Sequence, residues 1–110
     1  MKDIVDFFNK EGIIFQSLKE ITPKELGTRK KIGIYLGVDM RGYFIDIMQL
    51  EKKSRVLLKE AGEIDALHAK LEAYNGGPIK NRYIIIKAPL CSKAKSYLKS
   101  GGWRVWNIER

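Results

Sequence analysis

The chain has 110 residues, a formal net charge of +8 and 45% hydrophobic residues, so we expect one domain, residues 1–110, with its own hydrophobic core. A single cysteine and a single histidine exclude an internal disulfide and an ordinary structural zinc site, and they favour a reducing, cytoplasmic location. The sequence lacks a run of about 18 apolar residues, and acidic residues interrupt its apolar N-terminal stretch. We therefore expect no membrane span, no signal peptide and no membrane partner.

The positive charge is concentrated at one end of the chain. Residues 1–74 contain 13 Lys or Arg and 12 Asp or Glu, whereas residues 75–110 contain 8 Lys or Arg and a single acid, Glu109. A basic surface of this kind predicts an acidic partner, of which nucleic acid is the leading candidate. The alternative is that the surplus charge serves solubility alone.

Local signals define the N-terminal elements. Residues 2–11 have an amphipathic pattern that predicts a helix, which Gly12 ends. A strand follows over residues 13–18. Thr22 then caps a short helix that has Pro23 in its first position and Glu25 completing a capping box.

Two apolar segments, 31–38 and 43–50, flank the turn Asp39–Gly42 and predict a β-hairpin. The predicted register pairs Gln49 with Ile32 and places Asp46 opposite Tyr35. It gives the hairpin a core face of Ile32, Ile34, Leu36, Val38, Tyr43, Ile45 and Ile47. The opposite face then carries Gly33, Tyr35, Gly37, Phe44, Asp46 and Met48.

The second half of the chain alternates between helix and strand. Residues 54–58 fit either a short strand or the start of a helix predicted over 60–74, and residues 75–78 form a break. A central strand over 82–88, a helix over 90–100 and a last strand over 103–108 follow. This order predicts an α/β fold whose mixed sheet contains a central antiparallel hairpin followed by β-α-β, with helices packed on the sheet.

This order of elements resembles the PD-(D/E)XK, or restriction-endonuclease-like, fold, and among its members the Holliday-junction resolvases most closely. The segment IVDFFNKEGIIF, residues 4–15, is similar to the first helix and strand of that family, and LEKKS, residues 50–54, to the end of its catalytic strand. The resemblance implies metal-dependent phosphodiester cleavage, in which carboxylates hold magnesium and a lysine orients water or stabilises developing charge. It would make Glu51 the carboxylate and Lys53 the lysine.

The catalytic motif is incomplete. The predicted register puts Asp39 at the hairpin tip, too far from Glu51 to share a metal. The segment 28–33, which should supply the aspartate, contains no carboxylate. A nuclease would have to recruit another acid, for which Glu11 is the candidate, and only that alternative requires a cofactor, magnesium.

Asp46 is an unusual residue for the middle of a strand. The predicted register places it beside Tyr35 on a face with two glycines, so a small pocket could form there. The preferred interpretation is a carboxylate that hydrogen-bonds Tyr35 or a lysine under a covering helix. His68 is expected at the rim of its helix, paired with Asp65 or Glu72.

Cys91 stands at the start of a predicted helix, in a segment with a local likeness to the active-site turn of glutaredoxins. A helical wheel places Cys91 on the apolar face with Ala94 and Leu98. We therefore expect a buried, slowly reacting thiol rather than a redox nucleophile.

The basic C-terminal third supplies the leading functional hypothesis, which is non-enzymatic binding of nucleic acid. The predicted contact residues are Lys87, Ser92, Lys93, Lys95, Lys99 and Arg104. A metal-dependent nuclease is the first alternative. A protein-interaction or homo-oligomeric module, with the last strand as an open edge, is the second.

Overall fold

A computed structural model describes residues 2–108, with the side chain of Lys2 left aside. Three α-helices and five strands follow one another in the order predicted from the sequence. They are α1 (Lys2–Lys10), β1 (Phe15–Ile21), β2 (Gly33–Asp39), β3 (Phe44–Glu51), α2 (Leu58–Asn75), β4 (Asn81–Lys87), α3 (Ser92–Ser100) and β5 (Trp103–Asn107). A 3₁₀ helix, Pro23–Leu26, lies between β1 and β2. No helix within the described residues is long and apolar enough to cross a membrane.

The five strands form one mixed sheet in the order β1-β2-β3-β4-β5. The β1–β2 and β2–β3 pairs are antiparallel, whereas α2 and α3 connect the parallel pairs β3–β4 and β4–β5. The predicted mixed sheet, with an antiparallel hairpin leading into β-α-β, is confirmed. β5 lies at one edge of the sheet. The alternative of a homo-oligomeric module requires this edge position.

Helices cover both faces of the sheet. On one face, α2 and α3 pack on the strands in a core that includes Ile34, Met48, Ile64, Leu71, Ile84, Ile86, Leu98 and Trp103. On the other face, α1 contributes Ile4 and Phe8 to a smaller core with Tyr35, Ile45, Ile47 and Ile85. This double coverage explains why the middle of β3 is buried and why β4 contains a continuous apolar run, because helices cover both faces of these two strands.

Local signals in the sequence set the ends of several elements. Thr22 Oγ1 accepts a hydrogen bond from the Glu25 backbone N–H at 3.3 Å, and Gly27 ends the same turn in the left-handed conformation. The ambiguous segment 54–58 forms one parallel bridge, between Val56 and Leu90, before α2 begins at Leu58.

The hairpin register differs by one residue from the predicted one. Gln49 faces Gly33, and Asp46 faces Leu36 rather than Tyr35. The loop is the cause, because the backbone N–H of Asp39 donates to the Tyr43 carbonyl at 2.9 Å and makes these two residues a pair.

The one-residue shift corrects the predicted faces, because neighbouring residues of a strand point to opposite sides of the sheet. Ile34, Met48 and Leu50 pack under α2, while Tyr35, Ile45 and Ile47 pack under α1. The predicted single core face, which combined Ile34 with Ile45 and Ile47, is therefore wrong.

Candidate nucleic-acid interface

The predicted pocket of Tyr35 and Asp46 does not form, because the two side chains point to opposite faces of the sheet. Asp46 is 0% exposed, and its Oδ2 lies 2.5 Å from Nδ1 of His68 on α2. Burial raises the pKa of Asp46, although the hydrogen bond from His68 opposes that shift. The general interpretation of Asp46 as a carboxylate satisfied under a helix holds, with a histidine as the partner.

His68 is a core residue and not a rim residue. It is 3% exposed, and its ring makes a T-shaped contact with the Trp103 ring, with 5.6 Å between ring centroids. Of the two predicted partners, Glu72 lies 3.5 Å from His68 Nε2, whereas Asp65 accepts a hydrogen bond from Trp103 Nε1. The partner that the sequence did not indicate, Asp46, is the closer one.

The carboxyl ends of β3 and β4 meet at one edge of the sheet, because the two strands are parallel and Glu51 pairs with Lys87. A concavity of about 480 Å³ opens there, lined by Glu51, Lys52, Lys53, Lys87, Ala88 and Pro89. A second concavity, of about 400 Å³, shares Glu51 and is lined also by Pro23, Lys31, Ile32, Gly33 and Gln49. The two concavities adjoin at Glu51, and we call the residues that line them the rim.

The lysines around this rim differ in their partners. Lys52 Nζ lies 2.8 Å from Glu60, which also binds Lys30 at 2.8 Å. Burial alone would raise the pKa of Glu60, but these two lysines hold it below its ordinary value. Lys31 and Lys53 are exposed and Lys87 is half-buried. We call these three residues, Lys31, Lys53 and Lys87, the basic edge.

The structure divides the predicted nucleic-acid contacts among three places. Lys87 belongs to the basic edge, while Ser92, Lys93, Lys95 and Lys99 are exposed on α3. Arg104 lies on the α1 side of the sheet, where its guanidinium is 5.0 Å from the ring centroid of Trp106 and 5.6 Å from that of Tyr83. The six predicted residues therefore do not share one face.

The predicted nuclease residues also lie apart. The Asp39 carboxylate accepts the backbone N–H groups of Arg41 and Tyr43 within the turn. Glu51 is the last of the eight residues of β3, roughly 25 Å away along an extended strand. Glu11 accepts a hydrogen bond from Trp106 Nε1 at 2.6 Å. Within residues 2–108, no group of three or more His, Cys, Asp or Glu residues could hold a metal ion.

Cys91 is not fully buried, which corrects the prediction. It occupies the N-cap of α3, is partly exposed, and contacts the larger core at its margin. The backbone N–H groups of Ala94 and Lys93 lower the pKa of its thiol. The helical wheel failed because Cys91 precedes the first helical residue, so its side chain does not follow the periodicity of the helix.

Sequence reasoning did not connect Lys31 and Lys53 with Lys87. The β-α-β pattern contained a usable signal, since the carboxyl ends of parallel strands lie at the same edge of a sheet. Lys53 follows the end of β3 by two residues, and Lys87 is the last residue of β4. Lys31 joins them because it precedes β2, which is antiparallel to β3.

Comparison with known proteins shows the fold. No protein-family model and no curated protein matches the chain. An EndoMS chain in its apo form is similar over 100% of this chain and 45% of its own length, with 19% identity and a TM-score of 0.60. An EndoMS chain from a complex with double-stranded DNA has 20% identity and a TM-score of 0.54, over 99% of this chain and 43% of that one.

A repair endonuclease from Pyrococcus abyssi is likewise similar, with 20% identity and a TM-score of 0.52 over 99% of this chain and 45% of its own. These three chains have a restriction-endonuclease-like fold, and the present chain shares that fold. It spans less than half of the length of each of them.

Proposed function

We propose that this chain binds nucleic acid at the basic edge and does not hydrolyse it. The observation that carries the proposal is the convergence of Lys31, Lys53 and Lys87 on two adjoining concavities at one end of the sheet. Lysine side chains in such a setting neutralise backbone phosphates. The fold shared with repair endonucleases, one of them in complex with double-stranded DNA, supports a nucleic-acid partner.

The residues present do not fit the divalent metal that the fold family implies. Across the hairpin, Gln49 faces Gly33, so this pair supplies no carboxylate to the face that carries Glu51. Magnesium in nucleic-acid enzymes is held by one or two carboxylates together with water and substrate phosphates, and this face offers Glu51 without a second carboxylate from the Gly33–Gln49 pair. Binding without cleavage is accordingly the preferred function.

The exposed lysines of α3 provide a second contact in this proposal. The helix α3, which connects β4 to β5, lies on the same side of the sheet as α2. Its exposed lysines are Lys93, Lys95 and Lys99. A nucleic acid that bends around this end of the molecule could contact both groups. Arg104, packed on two aromatic rings, is assigned a structural role instead.

Salt-dependent binding tests the proposal. We would titrate a fluorescent duplex with the protein at several salt concentrations and follow its anisotropy. Each phosphate contact contributes about −0.9 to the log–log slope, so Lys53→Ala combined with Lys87→Ala should flatten the slope by about two contacts. The matched control combines Lys10→Ala with Lys70→Ala, which removes two exposed lysines from α1 and α2.

Two results would reject the proposal. One is the absence of binding at about 50 mM salt, where phosphate contacts are strong. The other is an equal loss in the control variant, which would show that the total charge of the protein matters and the position of the lysines does not.

The second candidate function is metal-dependent cleavage of nucleic acid, favoured by the fold alone. It would use Glu51 and Lys53 with Glu11 as the additional acid. Magnesium-stimulated cleavage that persists through purification and disappears in Glu51→Ala would establish it. We expect no such cleavage, because the hairpin places no second carboxylate next to Glu51.

A further inference from the structure

A groove lies at the end of the sheet opposite the basic edge, between the tip of the β2–β3 hairpin and the loop that precedes β4. Its volume is about 400 Å³, and we call it the tip groove. It is lined by Gly42, Tyr43, Phe44, Pro78, Lys80 and Asn81. Two of these residues are exposed aromatics, Tyr43 at 62% and Phe44 at 41%.

The topology of the sheet creates the groove. Ile45 pairs with Asn81, so the residues just before these two, Phe44 and Lys80, lie side by side. Gly42, with a φ of 89°, closes the turn in a conformation that favours glycine. The four residues of β3 that follow Phe44 are all buried. The exposure of Tyr43 and Phe44 therefore contrasts with the burial of the four residues that follow them.

The chemistry of the lining favours a flat, anionic ligand. Two aromatic rings and a proline offer apolar surface for stacking, and Asn81 adds an amide that can donate or accept hydrogen bonds. Lys80 is the single charged residue of the lining, and Arg41 is exposed in the adjoining turn. An unpaired nucleotide combines the ring and the negative charge that such a site would bind.

We propose that the tip groove stacks an unpaired base of a single-stranded nucleic acid, with Lys80 at the neighbouring phosphate. The inference rests on the proposed function and adds that one end of the bound nucleic acid is single-stranded. Tyr43 supplies the principal stacking surface because it is the more exposed of the two rings. β3 spans the distance to the basic edge, roughly 25 Å, so an oligonucleotide of about 12 nucleotides can reach both.

The test compares a labelled single strand of about 12 nucleotides with a duplex of the same length by anisotropy. Loss of one stacked base corresponds to about tenfold weaker binding. We expect Tyr43→Ala to weaken single-strand binding by about tenfold without changing its salt slope, and to leave duplex binding unchanged. Lys80→Ala should flatten the single-strand slope by about 0.7.

Two further variants serve as controls. Tyr43→Phe retains the ring and should bind the single strand like the wild type. Tyr74→Ala removes an exposed tyrosine of α2 that contacts Lys19, and it should affect neither ligand. Together they separate the loss of a stacking surface from a general effect of removing tyrosine.

The outcomes distinguish this inference from the proposed function. If Lys53→Ala with Lys87→Ala weakens binding while Tyr43→Ala has no effect, the stacking site is rejected and the basic edge stands. If Tyr43→Ala weakens single-strand and duplex binding equally, selective recognition of an unpaired base is rejected. If the protein binds neither ligand at about 50 mM salt, both proposals are rejected.

Discussion

Asp46 of β3 and His68 of α2 form a hydrogen-bonded pair inside the core, with 2.5 Å between Oδ2 and Nδ1. The second polar atoms of the two side chains, Asp46 Oδ1 and His68 Nε2, are buried and make no hydrogen bond within the described residues, although Glu72 lies 3.5 Å from His68 Nε2. An apolar pair would avoid this desolvation cost. We infer that the pair helps to select the correct register of β3. A one-residue shift of β3 would move Asp46 under α1, away from His68.

Replacing one member of the pair should destabilise the protein more than replacing both. In His68→Leu, Asp46 stays buried without its partner, and we expect the free energy of unfolding to fall by about 3–5 kcal/mol. In the double variant Asp46→Val with His68→Leu, the polar groups are gone and stability should return close to that of the wild type. Urea denaturation monitored by circular dichroism measures both. If the double variant lost as much free energy of unfolding as Asp46→Val and His68→Leu lose together, this view of the pair would be contradicted.

The stability of the protein should also depend on pH through Asp46. Burial raises the folded-state pKa of Asp46 above that of an ordinary aspartate, so folding takes up a proton at pH values between the unfolded and the folded pKa. The contribution of Asp46 is therefore fully present below about pH 4 and is lost as the pH rises through its folded pKa. Asp46→Asn should remove this part of the pH dependence.

The measurement is a series of urea unfolding curves between about pH 4 and pH 7. Relative to Asp46→Asn, the wild type should gain stability as the pH falls across this interval. Asp6→Asn, which alters an exposed carboxylate of α1, is the matched control. Parallel stability curves for the wild type and Asp46→Asn would show that Asp46 has no raised pKa in the folded protein.

Signals that depend on a few neighbouring residues were sufficient to predict the elements and their order. The cap at Thr22, the left-handed Gly27 and the hairpin glycine at Gly42 all act within about four residues of the chain. The parallel arrangement of β3 and β4 also follows from sequence, since a helix between two strands allows few topologies.

The hairpin register could not be predicted in the same way. Both Ile34 and Tyr35 are buried, one under α2 and the other under α1, so alternation of apolar and polar residues does not select a face. The Asp46–His68 pair joins residues 22 positions apart on different elements. The basic edge depends on register and strand order together, so its lysines could not be grouped before those were known.

Cys91 should react faster than the sequence suggested. Backbone N–H groups at the start of α3 stabilise the thiolate and lower its pKa, and the side chain is partly exposed. We expect the alkylation rate of the folded protein to rise with pH at lower values than the rate of the same protein in urea. Iodoacetamide labelling followed by mass spectrometry measures both profiles. Equal profiles, or a folded thiol that does not react, would restore the prediction of an inert core cysteine.

The absence of a carboxylate at Gly33 and Gln49 is our reason for rejecting a metal site, and it can be tested by introducing carboxylates at these two positions. A Cβ atom at Gly33 would lie 3.5 Å from the Gln49 Cβ, which is an ordinary contact, and the φ of Gly33 is not in the left-handed region. Gly33→Asp is therefore compatible with the backbone. Combined with Gln49→Glu, it would place two carboxylates directly across the strand pair, on the face that carries Glu51.

We expect this double variant to bind Mn²⁺ in a calorimetric titration and the wild type to bind it much more weakly, because oxygen ligands from one face are what such a cation requires. The matched control, Gln16→Glu with Ser54→Asp, adds the same two charges at two exposed positions, one in β1 and one in the segment between β3 and α2, and should behave like the wild type. A wild type that binds Mn²⁺ as tightly as the double variant would mean that Glu51 and its neighbours already suffice for a metal site. That result would favour the nuclease alternative over binding alone.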